Sequence, residues 1–216
     1  MPVGRHSLPR EVMEAHQRDR ILAVATEVFA KRGYRSTTVD HIVAAAKIGV
    51  GSFYELFDNK EDCLLRAYDR VVAHGRERIA AAVPADRPWP ERAAAVLRAL
   101  LELIAAEPSS ARLALVVVQT GGAEALARYE STLDGVVPLL RRGREASPVA
   151  GELPDSLEDA IVGGLAWFLQ QRVETAEAGS AEQPLPELLR LVIEPYLGED
   201  AVSELIAAQS AAAARD

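Results

Sequence analysis

Apolar residues recur along this chain at the spacing of a helix face, and hardly anywhere at the two-residue spacing of a strand. Ile21, Leu22, Ala25, Val28 and Phe29 share one face of a first segment over 12–32, and Val39, Ile42, Val43 and Ala46 one face of a second. Leu64, Leu65, Tyr68, Val71, Val72 and Ile79 carry a longer helix to about Val83. Composition points the same way: alanine fills 38 of 216 positions, whereas Phe, Tyr and Trp together fill 11. Alanine is the best helix former, and strands favour branched and aromatic side chains. Leu113 to Val118 is the only strand-like run. The expectation is an all-α fold of about nine helices, an N-terminal three-helix head followed by a C-terminal bundle.

Punctuation sets the remaining boundaries. Helices are expected over 91–106, ending before Pro108, over 110–119, stopping at Gly121-Gly122, and over 123–145. After a loop at 147–154, a long helix over 155–178 places Leu157, Ile161, Gly164, Leu165, Phe168 and Arg172 on one stripe. A linker over 179–186 leads to a last helical region over 185–206. Residues 1–14, with Pro2, Gly4, Arg5 and Pro9, read as a flexible arm, and 207–216 as an alanine-rich tail without a packing face. The chain thus divides into arm (1–14), head (15–76), bundle (77–206) and tail (207–216).

Several chemistries are excluded. Cys63 is the only cysteine, so no internal disulfide or cysteine zinc site can form, and its neighbours Leu64 and Leu65 suit a small buried residue. The histidines at 6, 16, 41 and 74 scatter, and the His74/Glu77 pair lacks a second such pair, so no metal or cofactor is expected. No Gly-x-Ser-x-Gly elbow occurs. The run Gly49 to Tyr54 starts like a phosphate-binding loop but has tyrosine at its sixth position and no preceding strand. The acidic pairs Glu61-Asp62 and Glu158-Asp159 read as solvated faces. No enzyme is expected. No stretch approaches the roughly 20 apolar residues of a membrane span, and the single cysteine suits a reducing, cytoplasmic setting.

The net charge of −8 is uneven: through Lys60 there are nine Lys/Arg against seven Asp/Glu, and beyond it fifteen against twenty-five. The first sixty residues also hold three short helices, the second and third joined at Ile48-Gly49, which describes a helix-turn-helix over about 39–58. Thr37 or Thr38 caps the second helix, whose N-terminus aims N–H groups and hydroxyls at phosphate. The turn needs positive φ or close approach, which Gly49 suits. Gly51-Ser52 keeps the leading edge of the next helix small enough for a major groove. Six of the eleven aromatics, Phe29, Tyr34, Phe53, Tyr54, Phe57 and Tyr68, cluster here to close a small core.

The ordered set Ala25, Phe29, Gly33-Tyr34, Thr37-Thr38-Val39, Ile42-Val43, Ala45, Gly51-Ser52-Phe53-Tyr54, Phe57 and Lys60-Glu61 resembles the TetR family of bacterial transcriptional regulators. The resemblance covers about residues 17–65. It implies a homodimer that represses transcription until a small molecule enters the C-terminal bundle. It puts DNA contacts on Thr38 and Val39 and on Gly49, Val50, Gly51 and Ser52, with Thr37 and Lys47 alongside. Tyr54 and Lys60 are implied to reach phosphates. Glu55-Leu56 departs from the family, which often places an aromatic or histidine there. Glu55 either accepts from cytosine N4 or faces away and pairs locally, and the second reading is favoured.

In the bundle, Trp89 is expected to plug one end. Gln119, Thr120, Tyr129, Trp167 and Gln171 are candidates to line an effector pocket. Gly163, Gly164, Phe168, Leu189, Val192 and Ile193 are candidates for a dimer interface. The partners implied are double-stranded operator DNA, a second copy of the chain and a small-molecule effector, with no membrane. A ligand-independent regulator or activator with a filled bundle, or a helical interaction module without DNA selectivity, are the alternatives.

Overall fold

The computed structural model describes residues 10–175 and 183–213, and every regular element in them is helical. The head comprises α1 (Arg10–Ser36), α2 (Val39–Ala46), α3 (Val50–Tyr54) and the start of α4 (Lys60–Ala82). Most of the expected arm lies outside the described residues, but helix α1 already begins at Arg10. Its regular course breaks where expected, at Gly33 with φ 74 and ψ 165, a left-handed backbone that glycine adopts without steric cost.

Thr38, not Thr37, caps α2. The Thr38 hydroxyl accepts from the His41 N–H at 3.3 Å, and His41 Nδ1 accepts from the Thr38 N–H at 3.2 Å. This is a reciprocal capping box with histidine as the third-position partner. Thr37 is buried, and its hydroxyl donates to the Gly33 carbonyl at 2.7 Å.

The expected role of Gly49 in the turn is corrected. The left-handed residue is Lys47, at φ 55 and ψ 49, while Gly49 is extended at φ −75 and ψ 154. The Lys47 N–H bonds to the Ala44 carbonyl at 3.3 Å and the Ile48 N–H to the Val43 carbonyl at 3.1 Å. These two bonds satisfy the last carbonyls of α2 and force the left-handed state on the first residue after it. Gly49 then only enters α3. That helix ends at Tyr54 rather than Phe57, in a turn where the Leu56 and Phe57 N–H groups both bond to the Phe53 carbonyl. The turn brings the buried Phe53 and Phe57 rings within 5.1 Å. Asn59 caps α4 by accepting from the Asp62 N–H at 3.0 Å, with Glu61 and Asp62 in the first turn where the helix dipole favours acids.

The body holds α5 (Trp89–Ala106), α6 (Pro108–Arg112), α7 (Ala123–Asp134), α8 (Val137–Arg141), α9 (Gly143–Ala146), α10 (Leu157–Glu174), α11 (Leu185–Leu197) and α12 (Glu199–Ala213). Leu113–Val117, the strand-like run, is a π-helical turn passing into a 3-10 turn at Val118–Thr120. The helix expected over 123–145 is three pieces; the first break falls before Pro138, which has no N–H to continue the ladder past Gly135. The last helical region splits at Gly198, where φ is +83, and α12 continues through the expected tail as far as Ala213. The first half of the expected linker, 179–182, lies outside the described residues, and its last two residues already belong to α11.

Two apolar clusters fill the interior. One joins Ile21, Phe29, Ile42, Phe53, Phe57 and Tyr68 of the head to Leu113, Val117, Val118 and Tyr129. The other is aliphatic, built from α5, α10 and α11 around Leu101, Leu188 and Ile193, and Tyr196 joins it. Each fully buried Leu, Ile or Phe side chain contributes about 1.5–3 kcal/mol. Cys63 is buried in the first cluster, and burial pushes its thiol up to about 12.

Glu158 does not face solvent as expected. It is 0% exposed, and Arg144 grips it from Nε at 2.7 Å and Nη2 at 3.0 Å. The buried Tyr196 hydroxyl donates to it at 3.1 Å. The Arg144 hydrogen bonds hold the carboxyl below its ordinary range, and burial pushes the Tyr196 phenol up. Arg144 also donates to the Leu153 and Pro154 carbonyls, so one guanidinium pins the 147–154 loop to α10. Trp89 packs edge-on against Tyr196 with ring centroids 5.0 Å apart and donates to the Leu139 carbonyl at 3.2 Å. A Cβ at Gly143 would lie 2.7 Å from the indole, so this close approach requires glycine.

Candidate nucleic-acid interface

Helix α3 is five residues long and is held by one buried side chain, Phe53, over a floor that includes Phe57, Ile42 and Tyr68. Its other positions face outward. Val50 is 46% exposed and Tyr54 55%, with Gly49, Gly51 and Glu55 also exposed and Ser52 half-buried. The Tyr54 ring stands edge-on to Phe53 at 5.4 Å, which props it away from the core. A Cβ added at Gly49 or Gly51 would meet nothing within 4 Å, and neither residue has positive φ. The subunit's own packing therefore does not demand glycine at either position.

The structure gathers Lys47, Gly49, Val50, Gly51, Ser52 and Tyr54 on the α2–α3 turn and α3, leaves Thr38 exposed at the far, N-terminal end of α2, and turns three others away from solvent. Thr37 is turned inward on Gly33, and Val39 is half-buried against the head core. Lys60, expected at a phosphate, donates to the carbonyls of Tyr34 at 2.9 Å and Thr37 at 2.8 Å. Its ammonium also lies 4.1 Å from the centre of the Tyr34 ring. It thus ties the start of α4 to the end of α1, bonding the Thr37 carbonyl and sharing the Tyr34 carbonyl with the Thr37 N–H. The Tyr34 phenol is pushed up by burial and then by the nearby Glu61 charge. Glu55 has neither the local partner expected of it nor any other: among the described residues its carboxylate makes no hydrogen bond or ion pair.

Charge on this surface is sparse. Lys47 is the one Lys or Arg between Thr37 and Asn59, set against Asp40, Glu55 and Asp58. Besides the shared apolar cluster, polar contacts tie the head to the body at the corner formed by the start of α6. Ser109 donates to Glu27 at 2.6 Å, Arg112 to the Ala30 carbonyl at 2.9 Å, and His74 pairs with Glu107 at 2.9 Å. A cleft of about 590 Å³, lined by Lys31, Arg32, Ala45 and Pro108 among others, opens between α1 and α6. Sequence reasoning missed this corner because its partners lie 33 to 82 residues apart. It also missed His41, whose place three residues after Thr38 was a readable capping signal.

Residues 21–67 match the family described as bacterial regulatory proteins, tetR family. The match covers the head, and the rest of the chain lies outside it. The chain is 29% identical over 90 residues to the uncharacterised HTH-type transcriptional regulator YhgD of Bacillus subtilis, covering 42% of this chain and 47% of that one. It is 24% identical to the fatty acid metabolism regulator protein of Bacillus subtilis over 138 residues, 64% of this chain and 71% of that one. The chain thus spans about half the length of YhgD, and 24% of the regulator HbdR of Aromatoleum. In three dimensions it resembles the fatty acid degradation regulator FadR of Bacillus halodurans, with a TM-score of 0.71 at 20% identity over 82% of this chain and 94% of that one. FadR of Bacillus subtilis in complex with stearoyl-CoA gives a TM-score of 0.69 at 20% identity, covering 82% and 98%. These likenesses show a common all-α fold.

The bundle candidates do not converge on one pocket. Tyr129 is buried in the cluster that backs the head. Gln119 donates to Gln170 at 3.1 Å, linking the 3-10 turn to α10. Thr120 is exposed, with its hydroxyl on the Val117 carbonyl, and Gln171 is half-buried with its backbone carbonyl accepting from Thr175. Trp167 points outward at 63% exposure, because α10 turns its apolar side to α11 through Ile161, Val162 and Leu169. The interface candidates divide between core and surface. Leu189, Val192 and Ile193 lie inside the subunit's own core, and Phe168 is half-buried against that core. Gly163 is exposed with open space beside it, and Gly164 packs near Leu191 at 3.8 Å. No helix among the described residues is long and apolar enough to cross a membrane, and none of their His, Cys, Asp and Glu side chains form a group that could hold a metal ion.

Proposed function

We propose that the protein is a cytoplasmic transcriptional repressor that binds a palindromic operator as a homodimer through α3 and is released by a small-molecule effector. The observation that carries this reading is the leading edge of α3. Two glycines that the fold does not need flank an exposed valine, on a helix anchored from behind by Phe53. A surface kept small for no internal reason suits close approach by another molecule, and the N-terminal end of a recognition helix is where base edges are met. Enrichment of duplexes from a random pool by the full-length protein tests it. An inverted repeat bound by two protomers is expected, and an unenriched pool would refute it. Gly51→Ala sharpens the test, because it should keep the thermal stability of the head yet lose operator binding.

Dimerisation is assigned to the outward stripe of α10, where exposed Ala160 and Gly163 let a partner helix approach beside Trp167, with the exposed Leu191 of α11 adjacent. Trp167→Glu should yield monomers in sedimentation with helicity intact. For the effector, likeness to FadR bound to stearoyl-CoA makes long-chain acyl-CoA thioesters the first class to try. Release then acts through α4 and the 107–112 corner, the elements that hold the head. A ligand shifts the head only by its differential affinity for the two arrangements.

A further inference from the structure

We propose that Val50 reads the C5-methyl group of a thymine in each operator half-site, and that this apolar contact, in place of a charged one, sets much of the sequence preference. The inference rests on the DNA-binding reading above and specifies how that surface recognises sequence. Direct readout in the major groove uses a small repertoire. Arg or Lys pair with guanine, Asn or Gln with adenine, acids with cytosine N4, and apolar groups with the thymine methyl. Helix α3, Val50–Tyr54, has no Arg, Lys, Asn or Gln. The nearest candidates are occupied or misplaced: Asn59 caps α4, and Lys60 is held on two carbonyls. Lys47 sits on the turn in the left-handed state, outside the helix that would enter the groove.

What α3 does present is Val50 at its first helical position, 46% exposed, with nothing but hydrogen at Gly49 and Gly51 on either side. The exposed part of the isopropyl group can therefore meet a base edge without a longer neighbour holding the helix off. Tyr54 lies one turn further along the same face, and Glu55 at the C-terminal end offers only an acceptor. Among bases, the thymine methyl is the one apolar group in the major groove. A valine there also avoids the cost of leaving a polar side chain unpaired against the wrong base.

The test uses the full-length protein and the duplex selected from the random pool. Each thymine of one half-site, and its symmetry mate, is replaced in turn by deoxyuridine, which removes the methyl and nothing else. One position is expected to stand out. Loss of a buried methyl is worth about fourfold in affinity per half-site, so about fifteenfold for the symmetric pair. Val50→Ala should weaken binding to the thymine duplex by a similar factor and bind thymine and deoxyuridine duplexes equally. It should fold normally, since alanine favours the helix and the site is exposed. If the operator is selected but no thymine distinguishes wild type from Val50→Ala, the inference is overturned while the DNA-binding reading stands. If no duplex is selected, both fall.

Discussion

The head and the aliphatic half of the body are built from the same secondary structure but held by different means. In the head, an aromatic floor is closed by short-range devices: the Thr38–His41 box, the left-handed Lys47, the Asn59 cap and the Lys60 staple across Tyr34 and Thr37. Most of these polar bonds join residues three to five apart, and Lys60 spans 26 at most. In the body, Arg144, Glu158 and Tyr196 tie together α9, α10 and α11 through one buried carboxylate, and Arg98 reaches Gln209 across 111 residues. Local devices let a small unit present a fixed surface. Distributed ties leave a bundle whose helices are free to be broken and re-aimed, as α7 to α9 are.

The largest expected effect comes from removing the floor of the head. Phe53→Ala empties a fully buried site and should cost about 3–5 kcal/mol, melting the head ahead of the aliphatic body. A single transition with the body lost as well would break the distinction. Lys60→Met keeps the stem but removes the donor to the Thr37 carbonyl and leaves the Tyr34 carbonyl with the Thr37 N–H alone, at a cost of about 1–2 kcal/mol in denaturant unfolding. An unchanged midpoint would return Lys60 to the role of a phosphate contact.

The body should respond to acid through Glu158. Its folded carboxyl titrates below the ordinary value of 4.5, so its contribution is fully present above that pH and is lost as pH falls through the lower folded value. Unfolding midpoints measured from pH 6 to about pH 3 should therefore decline, and Glu158→Gln should flatten the part of that decline carried by this group. Equal decline in both proteins would remove Glu158 as an acid-sensitive tie. The smallest effect belongs to Lys47→Gly. Relief of a left-handed lysine should stabilise the head by about 1 kcal/mol, while removing the turn's only cation weakens DNA binding. Stability and function would then move in opposite directions at one residue.

These differences also explain what could be read in advance. The helices of the head, the Gly33 break, the start of α4 and the aromatic core follow from signals a few residues apart. The left-handed turn residue was misplaced because glycine is the usual occupant of such a position, and only the Schellman bonds from Lys47 and Ile48 show where α2 ends. The inward turn of Thr37 was likewise hidden, since either threonine could cap. In the body, Trp167, a pocket candidate, points outward, and Leu189, an interface candidate, lies in the subunit's own core. Both lie on strongly apolar helices, and apolarity alone does not say which side of α10 or α11 meets its own core. Glu158 was read as solvated because its partner Arg144 is fourteen residues away and Tyr196 thirty-eight.

The most direct test of a sequence-reading head is the equilibrium affinity of the full-length protein for its selected operator and for an unrelated duplex, by fluorescence anisotropy at several salt concentrations. A head that reads bases through α3 should prefer the operator by about a thousandfold or more. With so few cations on the surface, its affinity should fall only gently with salt. Equal, weak and steeply salt-dependent binding to both duplexes would contradict it.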